Sequence, residues 1–413
     1  MNRRTVMAAA VAAALVSPVL LAGCTQKATS DGAITVTSTN DDCDLASTEA
    51  TTGTVDFAVT NSGDKVTEFY VYGNNNRVLG EVENIGPGLS GNLSIEIVEP
   101  GTYTVACKPG MVGTGIRTEL TVGGERKEKA DVPADVTAAK GQYLEYVRNQ
   151  LNTLHAQVTA FVGSVKAGDL DAARAQFGLA RTPYERIEPV AESFPDLDPA
   201  IDMRWDDTED GAQPFTGFHR IERFLWPPQP AEIGEAPGQI TPADAQNASA
   251  TDNPQTIAPV ADQLLADVTK LRDEVNAPGF EFETGSFVKG PQALIDEVAA
   301  TKIDGEEDRY SHTDLWDFAG NLDGSETAIA TLQPIISAKD PKVMDTITAQ
   351  FAAVRDSVNT YRSGDGYVSY TTVTAEQRKD LSNKIDALSP ESRAALRRTD
   401  ARRADVQAVS ALT

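Results

Sequence analysis

The chain has 413 residues, with 61 acidic against 36 basic side chains and a formal net charge of −25. So acidic a surface argues against a nucleic-acid partner, because phosphate contacts need clustered Lys and Arg; it suits the attraction of cations, although solubility of an exported protein accounts for it equally well. The sequence also lacks a CxxC pair, a P-loop and a nucleophile elbow, which favours metal coordination over covalent catalysis.

Residues 1–23 read as an export signal: Arg3 and Arg4, an apolar run from Val6 to Leu21, then Leu21-Ala-Gly-Cys24. Small residues before a cysteine at the end of such a run form a bacterial lipobox. The expectation is a mature chain that begins at a lipid-modified Cys24 and is tethered through 24–33 to the outer face of the cytoplasmic membrane. The arginine pair suggests twin-arginine export, but Asn2-Arg-Arg-Thr-Val-Met7 lacks the aromatic or leucine two places after the pair, so general secretion stays open. No second apolar stretch approaches the ~20 residues needed to span a bilayer.

From 34 to 122 the pattern is β. Thr54-Val-Asp-Phe-Ala-Val-Thr60, Glu68-Phe-Tyr-Val-Tyr72, Leu93-Ser-Ile-Glu-Ile-Val98 and Gly101-Thr-Tyr-Thr-Val-Ala-Cys107 alternate apolar and polar residues between Gly, Pro and Asn clusters. This predicts a small antiparallel sandwich. Cys43 and Cys107 lie within it. In an oxidising compartment they either pair as a disulfide or serve as thiolate ligands, with Met111 of Cys107-Lys-Pro-Gly-Met111 as a further sulfur, a set that suits copper. A blue-copper centre also needs two histidines, and none precedes His155.

Residues 123–134 are polar, charged and contain Pro133, the composition of a linker. Beyond them Leu144, Val147, Leu151, Leu154, Val158, Phe161 and Val165 recur at steps of three or four, which predicts helix. Similar patterns at 169–181, 257–276, 291–302, 325–336, 341–362 and 374–387 make 135–405 an all-α bundle. Leu151–Phe177 and Val343–Tyr361 read alike, each as one long amphipathic helix, which hints at duplicated halves. Between them 227–255 reads as an ordered surface excursion or a flexible insertion. In the tail, Arg393, Arg397, Arg398, Arg402 and Arg403 read as a solvated helix face or a docking patch for an acidic surface.

The chemistry concentrates in the bundle. Gly217-Phe-His219-Arg-Ile-Glu222-Arg-Phe-Leu-Trp226 places an imidazole and a carboxylate three residues apart, on one helical face and within reach of one metal ion. Further donors must come from other helices. Glu185 and Glu188 repeat the spacing, followed by Glu192, Asp196, Asp198, Asp202, Asp206 and Asp207. Hard oxygens with a single imidazole suit iron, manganese or zinc better than copper(I). His312, between Ser311 and Thr313, reads as a hydrogen-bonding helix-start residue or a distant nitrogen ligand; His155 reads as a packing residue.

Val190-Ala-Glu-Ser-Phe-Pro-Asp-Leu-Asp198, Asp202-Met-Arg-Trp-Asp-Asp207, Phe215-Thr-Gly-Phe-His-Arg-Ile-Glu-Arg-Phe-Leu-Trp226 and Gly305-Glu-Glu-Asp-Arg-Tyr-Ser-His-Thr-Asp-Leu-Trp-Asp-Phe318 resemble the imelysin-like domain of the EfeO family, the extracytoplasmic component of an elemental iron uptake system. Glu83-Asn-Ile-Gly-Pro-Gly-Leu-Ser90 and Pro100-Gly-Thr-Tyr-Thr-Val-Ala-Cys107 resemble that family's N-terminal cupredoxin-like domain. The resemblance implies an iron-binding protein with a membrane iron permease and a haem peroxidase as partners. It implies a metal site at His219 and Glu222, with Glu185, Glu188, Asp202 and Glu297 as further acids, and a metal-binding role for Glu68. It also brings a peptidase label, which the residues do not support: a common zinc peptidase uses His-Glu-x-x-His, and this motif has one histidine.

Overall fold

The computed structural model describes residues 33–388, apart from short breaks at 74–77, 111–113, 127–131, 195, 209–213, 235–237, 301 and 340. The leader, Cys24, Met111 and the arginine-rich tail lie outside the described residues.

Alternation builds the N-terminal part. In β4 (Gly53–Asn61) the odd positions Val55, Phe57 and Val59 are buried, as expected for one face of a half-buried strand. β4 runs parallel to β1 (Ile34–Ser38) and antiparallel to β7 (Ser90–Ile97); β2 (Cys43–Leu45) completes a four-stranded sheet in the order β2-β1-β4-β7. The facing sheet has five strands: β3 (Glu49–Thr51), β9 (Ile116–Gly123), β8 (Gly101–Pro109), β5 (Thr67–Tyr72) and β6 (Val78–Ile85), in that order. Phe57, Phe69, Val71, Leu93, Val105 and Leu120 fill the space between the sheets. The sandwich is therefore mixed: β1–β4 and β3–β9 are parallel pairs, where the sequence pattern suggested a purely antiparallel arrangement.

The helical part starts with α1 (Ala134–Ala167), whose buried stripe from Tyr143 through Val147, Leu151, Leu154, Val158 and Phe161 to Val165 packs on α2 (Leu170–Glu185) and α6 (Pro254–Asn276). The expected single helix over Leu151–Phe177 is two helices. Gly168 takes the left-handed conformation (φ 73°) that ends α1, and Asp169 caps α2 by accepting the Ala172 N–H at 3.1 Å. The supposed counterpart at Val343–Tyr361 is one helix, α10 (Pro341–Asn359), so the proposed duplication loses its structural parallel.

Between α2 and α6 lie α3 (Asp198–Asp202), α4 (Gly217–Leu225) and α5 (Pro242–Thr251). The 227–255 excursion is thus partly helical, and Arg223 fixes it to α4 through Asp244 and Asp252. Following α6 come α7 (Thr284–Ala300), α8 (Asp314–Thr331), α9 (Gln333–Lys339), α10 and a last helical stretch over 375–388. Phe161, Phe177, Phe218 and Trp226 form a connected aromatic group with ring centroids 5.6–6.3 Å apart, joining α1, α2 and α4. Burial of each of the three phenylalanine rings stabilises by about 1.5–3 kcal/mol, which anchors the helix that carries His219. No helix among the described residues is long and apolar enough to cross a membrane.

Candidate metal centre

Four segments converge on one buried volume. α2 contributes Arg181 and Glu185, one turn apart; α3 ends on Asp202; α4 presents His219 and Glu222; and the 305–313 loop, running into α8, brings Glu307 and Asp308. The meeting of α3 and α4 depends on Gly217, which starts α4 at φ 72°. A Cβ there would stand 2.1 Å from the Ile201 carbonyl oxygen, so only glycine lets α4 begin against the residue preceding Asp202.

His219 is 1% exposed and works through both ring nitrogens. Nδ1 lies 2.9 Å from Glu222 Oε2 and 3.8 Å from Asp308 Oδ1. Nε2 lies 3.5 Å from both Asp202 Oδ1 and Glu307 Oε1, and 3.2 Å from Arg181 Nη1. Glu222 Oε1 accepts the backbone N–H groups of Tyr310 (3.1 Å) and Ser311 (2.7 Å), which fixes the carboxylate and ties α4 to the loop. Two sets of ligand atoms come close enough to share an ion: Asp202, His219 and Glu307 on the Nε2 side, and His219, Glu222 and Asp308 on the Nδ1 side. The donors, one nitrogen and two oxygens in each set, are those that iron, manganese and zinc accept.

Arg181 stands at the centre of the acids. Its guanidinium donates to Asp202 and Glu185, and lies 3.4 Å from Glu307 Oε1, 3.4 Å from Asp317 Oδ1 and 3.5 Å from Asp308 Oδ1. The side chain is fully buried. With Glu222 beyond His219, six carboxyl groups share this volume with one guanidinium and one imidazole, while Lys302 and Arg204 pair with it at Glu307 and Lys302 also acts on Glu185. Such an excess of buried acid must be neutralised by protons or by a bound cation.

The titration behaviour reflects this excess. Burial raises the carboxyls of Glu185, Asp202, Glu222 and Asp317; Arg181 opposes the rise at Glu185, Asp202 and Asp317, while Asp308 adds to it at Glu222 and Asp317. Burial and Arg181 disfavour a proton on His219, but Glu222, Glu307 and Asp202 outweigh them and lift the imidazole to about 9. Glu307 alone goes down: burial pushes it up, yet Lys302 and Arg204 hold it well below the usual carboxylate range. Asp308 Oδ1, a member of the Nδ1-side set, and Asp317 Oδ2 are buried with no hydrogen-bond partner; the first is what an oxygen directed toward a cation position would show.

Among the expected ligands, His219, Glu222 and Asp202 meet directly. Glu185 joins through Arg181. Glu188 sits one layer out, bound by Lys302 Nζ (2.5 Å) and by Asn321, which also donates to Glu185 Oε2 at 2.9 Å. Glu297 on α7 belongs to that outer layer: burial, partly offset by Lys302, pushes it up to about 8. His312 is outside the centre, its Nε2 3.6 Å from Glu232; its carbonyl accepts the Tyr370 N–H, and the α8 cap position falls to Thr313. His155 is half-buried on α1. The residues that sequence reasoning missed are Glu307, Asp308, Asp317 and Arg181. Glu307, Asp308 and Asp317 all lie in the same Gly305–Phe318 segment that carries the family resemblance.

In the sandwich, Cys43 and Cys107 form a disulfide that crosses from β2 in one sheet to β8 in the other. The thiolate copper site expected as an alternative is not what the structure holds, because each sulfur is bonded to the other. Glu68 is buried and accepts the Tyr70 hydroxyl at 3.1 Å.

Family models agree with this two-part architecture. The imelysin family model matches residues 140–395, and that of the cupredoxin-like domain residues 7–122. The chain is 36% identical over 361 residues to the iron uptake system component EfeO of Yersinia pestis, covering 86% of this chain and 88% of that protein. It is 35% identical over the same length, with the same coverage, to the protein of that name from Escherichia coli O157:H7. Among solved structures, reduced auracyanin from Roseiflexus castenholzii matches 22% of this chain and 98% of its own at 17% identity and a TM-score of 0.19. On the strength of its imelysin domain and its identity to these relatives along most of both chains, the protein belongs to the EfeO family of iron uptake system components.

Proposed function

We propose that this protein is the extracytoplasmic iron-binding component of such a system. In this reading it is anchored through a lipid on Cys24, captures iron at the His219 centre and passes it to a membrane permease, with a haem peroxidase as a further partner. Iron is cargo here and not a resident cofactor. The observation that carries the reading is the convergence of Asp202, His219, Glu222, Glu307 and Asp308 in a buried volume with more acid than base. Zinc fits the same donors and serves as a redox-inert substitute.

The test is metal titration and elemental analysis of the wild-type mature protein beside His219→Ala and Glu222→Ala. Each substitution is expected to weaken ferrous iron and zinc binding by more than about tenfold, the least that loss of even an outer-shell partner causes. Unchanged binding in both variants would remove the reading. Peptide cleavage or ferrous-iron consumption by the wild type, lost with His219→Ala, would point to an enzyme instead.

A further inference from the structure

Resting on that reading, we propose that Arg181 is the cation that neutralises the centre before metal arrives and that incoming metal must displace it, so that this arginine sets metal affinity by competition and not by ligation. Its Nη1 is 3.2 Å from His219 Nε2 and donates to Asp202, and Nη2 is 3.4 Å from Glu307 Oε1. Those three residues are the ones whose ligand atoms converge on the Nε2 side. The guanidinium therefore stands where an ion bound by that set would stand. It has no lone pair to offer a metal and does not lose its charge at any accessible pH, so it cannot join the coordination sphere and repels a cation beside it.

The far edge of the guanidinium is held differently. Nη2 is shared between Asp202 Oδ2 (3.4 Å) and Glu185, and Nε lies 3.4 Å from Asp317 Oδ1 and 3.5 Å from Asp308 Oδ1; of these acids Glu185 and Asp317 are outside the converging sets. When displaced by metal, Arg181 would keep Glu185 and Asp317 as carboxylate partners, which avoids the cost of an unpaired buried charge. Lys302, another buried cation beside the centre, pairs with Glu188 and Glu307 and does not replace it. The arrangement gives the protein a neutralising cation of its own before metal arrives and makes release of metal easier, as a carrier that must hand on its cargo requires.

Calorimetric titration of zinc, and of ferrous iron under anaerobic conditions, into wild type, Arg181→Gln, Arg181→Lys and His219→Ala tests this. Arg181→Gln is expected to bind at least about tenfold more tightly, equivalent to about 1.4 kcal/mol, while Arg181→Lys stays near wild type because the charge is kept. A merely structural role would not produce a gain. Should Arg181→Gln fold only when refolded with zinc, under conditions where wild type folds without it, the metal is replacing the lost cation and the proposal is supported. Weaker or unchanged binding by folded Arg181→Gln overturns it. If His219→Ala loses metal but Arg181→Gln gains nothing, competition alone fails; if His219→Ala binds as wild type does, the iron reading fails and takes this proposal with it.

Discussion

His219 holds its proton to about pH 9 in the fold, against about 6.5 in an unfolded chain. A raised basic group contributes stability that is complete below the unfolded value and is lost as pH rises through the folded one. Glu185 and Asp317, lifted by burial, also bind protons more tightly when folded and act in the same direction; Glu307 opposes them, with a contribution that is lost on acidification. The metal-free protein is therefore expected to lose stability between pH 6.5 and 9, by about 3 kcal/mol at most from His219, and His219→Gln should flatten that slope in urea midpoints. Saturating zinc should remove the loss, since the metal replaces the protons. Only part of this was legible at the level of residues. The three-residue spacing of His219 and Glu222 is a local fact of one helix. Arg181 offered no signal, because its importance comes entirely from acids contributed by α2, α3, α8 and the 305–313 loop.

Among the elements, α4 decides whether a centre exists. Its apolar face is fixed by Phe218 against Phe161 and Phe177, and its first residue by the contact of Gly217 with Ile201. Gly217→Ala imposes a left-handed backbone on a residue with a Cβ, costing about 1–2 kcal/mol, and drives that carbon into the Ile201 carbonyl, which overpacking data put at a further 1–3 kcal/mol. Thermal or urea denaturation should show a loss of about 2–5 kcal/mol, together with weaker metal binding as α4 moves from Asp202. A Gly217→Ala protein of wild-type stability would mean that the close approach is not obligatory. The helix pattern itself is readable, and the separate patterns up to Val165 and from 169 already divide α1 from α2; only the reading of Leu151–Phe177 as one helix runs across Gly168 and Asp169. The cap residues, and not the stripe, mark the end.

For the whole molecule, the two halves are secured by different means. The sandwich carries a cross-link between Cys43 and Cys107, 64 residues apart, whose loop-closure entropy corresponds to about 4 kcal/mol. Among the described residues, the ligand atoms that converge at the candidate metal centre come from Asp202 to Asp308, in the helical part. The double variant Cys43→Ala/Cys107→Ala is thus expected to lower the melting temperature of the sandwich while leaving zinc stoichiometry at the His219 centre unchanged; loss of that stoichiometry would show that the centre depends on the N-terminal domain. By itself the sequence determined that a β part precedes an α part and that His219 and Glu222 share a helical face, because alternation and helical period are properties of neighbouring residues. Which distant acids gather around His219, that a buried arginine stands among them, and that the two cysteines join opposite sheets were decided only by tertiary packing, since contacts between separate segments depend on the angles and distances at which whole elements meet.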